Sequence, residues 1–165
     1  MNEIIKQKIV EAYKKLLKYD FYLLKVAANE RSIAHKFAEY IQTEFLDYNV
    51  DAEYNRTEAE PKKLEHVVDE LKKKLEEESI EYVSLDDEDA TTVFPDIIVH
   101  RRGTKENLLV IEAKKDIKND KIDSQKLLAY KTQLGYRYAY SVTFPTKQPS
   151  YALEDSQIAG YITEV

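Results

Sequence analysis

Apolar side chains recur at helical spacing in the first third of the chain. Residues 3–18 carry Ile5, Ile9, Val10, Tyr13, Leu16 and Leu17, and residues 30–47 carry Ile33, Ala34, Phe37, Ala38, Ile41 and Phe45. Apolar positions three or four residues apart lie on one face of a helix. The pattern predicts amphipathic helices over 3–18 and 30–47, with a further helix or an irregular link over 21–29.

Two later segments have continuous apolar cores, at 97–99 and 108–111. Strands that are buried on both faces show this pattern, so 93–100 and 108–114 are predicted as neighbouring central strands. The other predicted elements are a strand over 50–56, a helix from Pro61 to about Glu78, a helix over 123–134, a strand over 136–144 and an edge strand over 161–165. The pattern therefore predicts an α/β fold, with a central mixed sheet flanked by helices.

The length of 165 residues suits a single domain over 1–165. Within it, residues 1–29 form an N-terminal helical extension, and residues 30–144 form the core. An acidic helical insert over about 57–92 interrupts this core, and 145–165 is a C-terminal segment.

Composition removes several classes of protein. The chain has no cysteine, which excludes disulfides, thiolate catalysis and cysteine-ligated metals, and only three glycines, with no glycine-rich phosphate loop. No apolar run approaches the roughly 18 residues of a membrane span, and the N-terminus has no signal-peptide pattern. We therefore expect a cytoplasmic protein with no membrane partner.

Charge is distributed unevenly along a chain whose net charge is −6. Residues 58–89 contain thirteen Asp and Glu against five Lys, whereas residues 100–137 contain ten Lys and Arg against five Asp and Glu. A basic face suffices for binding phosphates, even on an acidic protein. A nucleic-acid partner therefore stays compatible with the overall charge.

Three charged residues interrupt the two central strands. If the strands form an antiparallel hairpin with its turn near Thr104, partners have residue numbers that add up to about 208. Asp96 then lies opposite Glu112, with their Cβ atoms ~5 Å apart. Lys114 leaves the same face of its strand as Glu112, because side chains alternate. Two close carboxylates suit a hard divalent ion such as Mg²⁺ or Mn²⁺.

A third acid comes from the helix over 30–47. At ~100° per residue, Glu30 lies roughly 20° from the centre of the apolar stripe, whereas Glu39 lies on the opposite side. Glu30 is therefore predicted beside the carboxylates of the hairpin. The three histidines are widely spaced and are expected to be non-catalytic, and Glu53 is expected to face solvent or to form an ordinary ion pair.

Residues 93–115 (VFPDIIVHRRGTKENLLVIEAKK) resemble the signature of the PD-(D/E)XK nuclease superfamily, in which Pro-Asp precedes an apolar strand and Glu-x-Lys ends the next one. That superfamily includes many restriction endonucleases and archaeal Holliday-junction resolvases. The resemblance covers roughly 30–144 and implies a restriction-endonuclease-like αβββαβ core, with an extra N-terminal helix and a helical insert.

The resemblance also implies roles for particular residues. Asp96, Glu112 and the carbonyl of Ala113 would hold Mg²⁺ or Mn²⁺, Lys114 would orient or help to activate the attacking water, and Glu30 would be the acid from the first core helix. The reaction would be hydrolysis of phosphodiester bonds, in DNA in the first instance. Backbone phosphates would contact the basic residues Arg101, Arg102, Lys105, Lys115, Lys118 and Lys121.

Three alternatives stay open. The charged cluster could be a structural set of ion pairs. The chain could also be a catalytically silent binding or regulatory module that acts through a nucleic acid or a protein. Residues 1–29 could form a homodimer. On the helix over 123–134, Asp123, Gln125, Lys126 and Tyr130 are polar candidates to which no catalytic role is assigned.

Overall fold

The fold is that of a computed structural model, which describes residues 1–54, 56–57, 60–61, 63–65, 90–92, 94–116 and 121–165. The helices are α1 (Asn2–Lys25), α2 (Glu30–Glu44), α3 (Lys121–Leu134) and α4 (Asp155–Ala159). The strands are β1 (Asn49–Ala52), β2 (Arg56–Thr57), β3 (Glu60–Pro61), β4 (Lys63–Glu65), β5 (Ala90–Thr92), β6 (Ile97–His100), β7 (Asn107–Lys115), β8 (Tyr138–Phe144) and β9 (Ile162–Glu164).

Five strands form one mixed sheet in the order β1-β6-β7-β8-β9. Strands β1, β6 and β7 are antiparallel neighbours, β7 and β8 are parallel, and β9 runs antiparallel to β8. The parallel pair is connected through α3, as a parallel pair requires a crossover. The α/β class and the mixed sheet flanked by helices are confirmed.

The predicted hairpin register is confirmed within the ladder. Ile97 pairs with Ile111, Ile98 with Val110 and Val99 with Leu109, so each pair adds up to 208. The register shifts only at His100, which pairs with Asn107 across an irregularity. All four residues of β6 and the first seven of β7 are buried, because helices cover both faces of the sheet.

The two faces of the sheet have separate apolar clusters. One packs α1, α2 and α4 against side chains such as Ile97, Ile111 and Tyr140. The other packs Leu127 and Tyr130 of α3 against alternate positions of the sheet. Side chains of successive strand residues point to opposite faces, so the position of each residue in the register decides which layer it meets.

Helix α1 is longer than predicted, and it includes most of the segment for which a helix or a link was expected. Its backbone leaves helical geometry at Asp20, where φ is −131° and ψ is 24°. The carboxylate of Asp20 accepts a hydrogen bond from the hydroxyl of Tyr40 on α2. The kink therefore lies where α1 is tied to its neighbouring helix.

The predicted helix from Pro61 is wrong where the structure describes it. Pro61 pairs with Arg56 in a short ladder, and Leu64 lies in β4, which pairs with β5. Leu64 is fully buried in the apolar cluster that includes Ile98 and Leu127, and this packing outweighs the helical pattern. The described parts of the expected helical insert are thus strands, and 66–78 lies outside the described residues.

Other boundaries differ for local reasons. Strand β1 stops at Ala52 because Glu53 has a positive φ of 51°. Strand β6 begins only at Ile97, after Pro95, which has no N–H to donate to a ladder. The predicted C-terminal edge strand is present as β9. Among the described residues, none of the helices has the length and apolar character that a membrane span needs.

Candidate active site

A cavity of about 320 Å³ opens where the first turn of α2 meets β1, the start of β6 and the end of β7. It is lined by Glu30, Arg31, Ala34, His35, Ala52, Glu53, Phe94, Asp96, Glu112 and Lys114. All four side chains predicted to form the site therefore line one cavity. Arg31, His35 and Glu53, for which no site role was predicted, lie there as well, and Arg31 forms an ion pair with Glu53.

Asp96 is fixed in place through both its side chain and its main chain. Its Oδ2 atom accepts a hydrogen bond of 2.8 Å from the N–H of Ala113 on β7. Its carbonyl oxygen accepts one of 3.1 Å from the N–H of Glu53. Asp96 comes just before the ladder between β6 and β7. Its carboxylate therefore accepts the hydrogen bond from the N–H of Ala113 at the end of the ladder, where β6 offers no main-chain partner.

Glu30 reaches the same end of the β6–β7 ladder from α2, which covers one face of the sheet. Asn29 caps α2 by accepting a hydrogen bond of 2.7 Å from the N–H of Ser32. Glu30 follows in the first turn, where the helix dipole favours an anion. Its Oε2 atom accepts a hydrogen bond of 2.9 Å from the N–H of Lys115, which ties α2 to the end of β7.

Glu112 has a buried cationic partner that the sequence analysis did not assign. The Nζ atom of Lys126 on α3 donates to Glu112 Oε2 at 2.9 Å, and the two side chains are 2% and 1% exposed. The other oxygen, Oε1, is buried and has no hydrogen-bond partner among the described residues. A buried polar oxygen without a partner is costly, so this atom is a candidate ligand position.

Lys114 is held by α3 as well. Its Nζ atom lies 3.3 Å from Oδ1 of Asp123, whose side chain is 2% exposed. Lys114 remains in the lining of the cavity, with its side chain 14% exposed. Asp123 thus holds the ammonium group of Lys114 beside the carboxylates, and β7 makes two ion pairs to α3, Lys114 with Asp123 and Glu112 with Lys126.

Burial dominates the electrostatics of the site. It raises the pKa of Glu112 to about 8, with a further upward contribution from the nearby charge of Asp96, against the effects of Lys126 and Lys114. Burial also raises the pKa of Asp96 above its ordinary value, although Lys126 and the Ala113 hydrogen bond oppose it. Burial lowers the pKa of Lys114, but Glu112, Asp123 and Asp96 outweigh it and raise the value.

The residues present fit a divalent ion with few protein ligands. Among the described residues, no group of three or more Asp, Glu and His side chains has metal-binding geometry. Asp96 and Glu112 provide two carboxylates, and Glu112 Oε1 has no partner. The N–H of Ala113 points to Asp96, and the carbonyl of a strand residue points the same way as its N–H. Two carboxylates, one carbonyl and water are a ligand set that suits Mg²⁺ or Mn²⁺.

The predicted phosphate-contacting residues are not brought together. Arg101, Arg102 and Lys105 lie in the β6–β7 turn, at the opposite end of the hairpin from Asp96 and Glu112. There Arg101 forms an ion pair with Glu106, and Arg102 forms one with Asp51. Of the five that the structure describes, only Lys115 contacts the site, through its main-chain N–H to Glu30, and its Nζ atom donates to the carbonyls of Ala27 and Ala28. Lys121 is exposed at the start of α3, and Lys118 lies outside the described residues.

A sequence signal existed for the contribution of α3. Its buried side chains are Asp123, Lys126, Leu127 and Tyr130, at spacings of three, four and seven residues from the first. This is the inward stripe of a helix, and the two charged members fall within it. Charged residues are rarely fully buried unless they are paired. The partners of Asp123 and Lys126 are Lys114 and Glu112 on another element, β7, so the stripe alone does not specify these pairs.

Comparisons with known proteins provide no relatives: no protein-family model matches the chain, no curated protein matches it, and no solved structure matches it.

Proposed function

We propose that this chain is a Mg²⁺- or Mn²⁺-dependent nuclease that hydrolyses phosphodiester bonds, with DNA as the first candidate substrate. The observation that carries the proposal is the unpartnered, buried Oε1 atom of Glu112, which lies beside Asp96 and Lys114 in the lining of one cavity. An oxygen in that position gains a partner when a cation binds. Most buried polar atoms in folded proteins have a partner, so a set of ion pairs that served structure alone would be expected to satisfy both oxygens of this carboxylate.

The order of elements supports a restriction-endonuclease-like αβββαβ core. Helix α2, strands β1, β6 and β7, helix α3 and strand β8 occur in this order along the chain, with the short strands β2 to β5 between β1 and β6, and the four sheet strands are neighbours in the order β1-β6-β7-β8. Helix α1 is additional to this core. In that arrangement, the Pro-Asp and Glu-x-Lys residues lie at the ends of the central strands, next to Glu30 of α2.

Each site residue has a distinct role in the proposed reaction. A bound divalent ion would supply Lewis acidity and offset the negative charge that develops on the phosphate. Asp96, Glu112 and the carbonyl of Ala113 would hold it. Lys114, oriented by Asp123, would donate hydrogen bonds to the attacking water and to the phosphate oxygens. Glu30 would fix the end of β7 and complete the negative wall of the cavity.

The test is cleavage of a mixed panel of duplex, single-stranded and branched DNA and of RNA, with Mg²⁺ or Mn²⁺ and with EDTA. Asp96→Asn keeps an oxygen that can accept the Ala113 hydrogen bond but removes the charge, and Lys114→Gln removes the ammonium. We expect each to reduce cleavage at least about a hundredfold. Metal-free Asp96→Asn should fold as well as the native chain, because a buried like charge next to Glu112 is removed.

Asp47→Asn and Lys36→Gln are matched controls, because both positions are on the surface away from the cavity. They should leave cleavage unchanged, and the loss of the surface pair between Lys36 and Glu39 should change the free energy of unfolding by less than about 1 kcal/mol. Absence of cleavage on every substrate, with Asp96→Asn strongly destabilised, would contradict the proposal and would favour a structural role for the cluster.

A second candidate is a catalytically silent module that binds a nucleic acid or a protein. It is favoured by the two ion pairs to α3, which already compensate Glu112 and Lys114 without a metal. Fluorescence anisotropy with labelled DNA separates the two. A silent binding module keeps the same affinity with and without Mg²⁺ and cleaves nothing, whereas the nuclease cleaves in Mg²⁺ and binds without cleavage in EDTA.

A further inference from the structure

The buried ammonium group of Lys126 reaches the site from outside the hairpin that carries the proposed ligands. We infer that Lys126 occupies the position of a second cation, so that the site binds one divalent ion rather than two. This inference rests on the proposed function. It assigns to α3 the role of fixing the number of ions.

Lys126 competes directly for one of the proposed ligands. Its Nζ atom donates a hydrogen bond to Oε2 of Glu112, which leaves only Oε1 of that carboxylate for an ion. An ion on each oxygen of this carboxylate would have to displace the ammonium group. That displacement is costly, because the side chain of Lys126 is 2% exposed and its ammonium group would lose its hydrogen bond to Glu112 inside a buried site.

The helix holds Lys126 where it is. Lys126 lies between Asp123 and Leu127 on the buried stripe of α3, and its Nζ atom is 5.9 Å from the centre of the Tyr130 ring. A cation at this distance from an aromatic face is attracted to it. The ammonium is therefore a resident part of the site and not a surface charge that can move into solvent.

The formal charges of the cluster also match one ion. Glu30, Asp96, Glu112 and Asp123 are four carboxylates, and Lys114 and Lys126 are two ammonium groups. A bound cation would lower the raised pKa of Glu112, and with all four carboxylates ionised the excess of two negative charges equals the charge of one divalent ion. A second ion, with both lysines still in place, would leave a buried excess of positive charge until a substrate bound.

The experiment is a titration of Mn²⁺ into the chain. Calorimetry measures the heat of binding, and electron paramagnetic resonance measures the concentration of free Mn²⁺. We expect one ion per native chain. Lys126→Met keeps the length of the side chain but removes its charge, so it should bind two ions, the first at least about tenfold more tightly. Lys126→Arg and the control Lys131→Met, on the same helix, should bind one.

Two ions bound by the native chain would overturn the inference, whether or not the Lys126 variant folds without metal. So would a Lys126→Met chain that binds one ion with native affinity. These results are distinct from failure of the proposed function. A native chain that binds two ions and cleaves is still a nuclease, whereas a chain that binds no ion and cleaves nothing contradicts both proposals.

Discussion

The two oxygens of the Glu112 carboxylate differ in their hydrogen bonding, although both are bonded to the same carbon atom. Oε2 has the ammonium of Lys126, and Oε1 has no partner among the described residues. The neighbour of Glu112 on β8 is Ser141. Its hydroxyl is also buried and has no hydrogen-bond partner among the residues that the structure describes. Two adjacent unsatisfied groups mark this point of the sheet as costly to maintain and therefore as a place for a ligand.

A second cluster of charges, none of which is in the lining of the cavity, contributes to stability and gives a pH-dependent prediction. Asp51 on β1 accepts hydrogen bonds of 2.8 Å from both His100 Nε2 and Arg102 Nε. Burial raises the pKa of Asp51, but Arg102 and His100 outweigh this effect and hold it below its ordinary value of 3.8. The folded state therefore prefers the ionised carboxylate.

For a carboxyl whose pKa is lowered on folding, the stabilisation is present above the ordinary pKa and is lost as pH falls through the folded value. Asp51→Asn should therefore lower the free energy of unfolding by about 1 kcal/mol at pH 7. It should also flatten the decline in stability below about pH 4. Urea unfolding at several pH values measures both, and parallel curves for native and variant chains would exclude this role.

At the scale of secondary-structure elements, the cavity is assembled from element ends and one helix face. Strand β7 provides Glu112 and Lys114 where its burial begins to fall, and α2 provides Glu30 from its first turn. Helix α3 provides Asp123 and Lys126 from its inward stripe. The positions of these elements, and not only the residues they carry, decide whether the site forms.

The N-cap of α2, Asn29, gives a prediction about how the position of this helix affects the site. Asn29→Ala removes the acceptor for the N–H of Ser32 and should cost about 1 kcal/mol of stability. It should also lower cleavage several-fold, because the first turn holds Glu30 against the N–H of Lys115. Thermal unfolding and initial cleavage rates measure the two effects.

Asn29→Ser is the matched control, because serine also caps helices well. It should restore both stability and cleavage. A loss of stability in Asn29→Ala without any loss of cleavage would show that the position of Glu30 does not depend on the cap.

For the molecule as a whole, the sheet is covered on one face by α1, α2 and α4 and on the other by α3. Helix α1 directs its apolar stripe inward, with Ile9, Tyr13, Leu16 and Leu24 fully buried. The hydroxyl of Tyr13 donates to the carbonyl of Thr143 on β8 at 3.1 Å. Residues 1–29 were a candidate for dimerisation, but the main apolar face of α1 is buried against its own chain.

Leu16→Ala tests this role of α1. It should lower the free energy of unfolding by about 2–5 kcal/mol, because it leaves a cavity between the helix and the sheet. Tyr22→Ala, at an exposed position of the same helix, is the control and should cost less than about 0.5 kcal/mol. Urea unfolding measures stability, and sedimentation over a range of concentrations measures mass. A change in mass with unchanged stability would instead favour an assembly role for α1.

The sequence alone was sufficient for several features because the information lies in local patterns. Apolar periodicity predicted α1 and α2, and the spacing around Thr104 predicted the register of β6 and β7. It also predicted that Glu30, Asp96, Glu112 and Lys114 would lie together, and all four line one cavity. Helical and strand periods fix which side chains share a face before any tertiary contact forms.

Tertiary structure decided what depends on contacts between distant segments. Leu64 lies in a strand and not in a helix, because its burial against Ile98 and Leu127 outweighs local propensity. The pairing of Lys126 with Glu112 joins residues on different elements, and no period in the sequence specifies that contact. Whether a buried charge is compensated is a property of three-dimensional neighbours, so only the packed molecule distinguishes the two oxygens of Glu112.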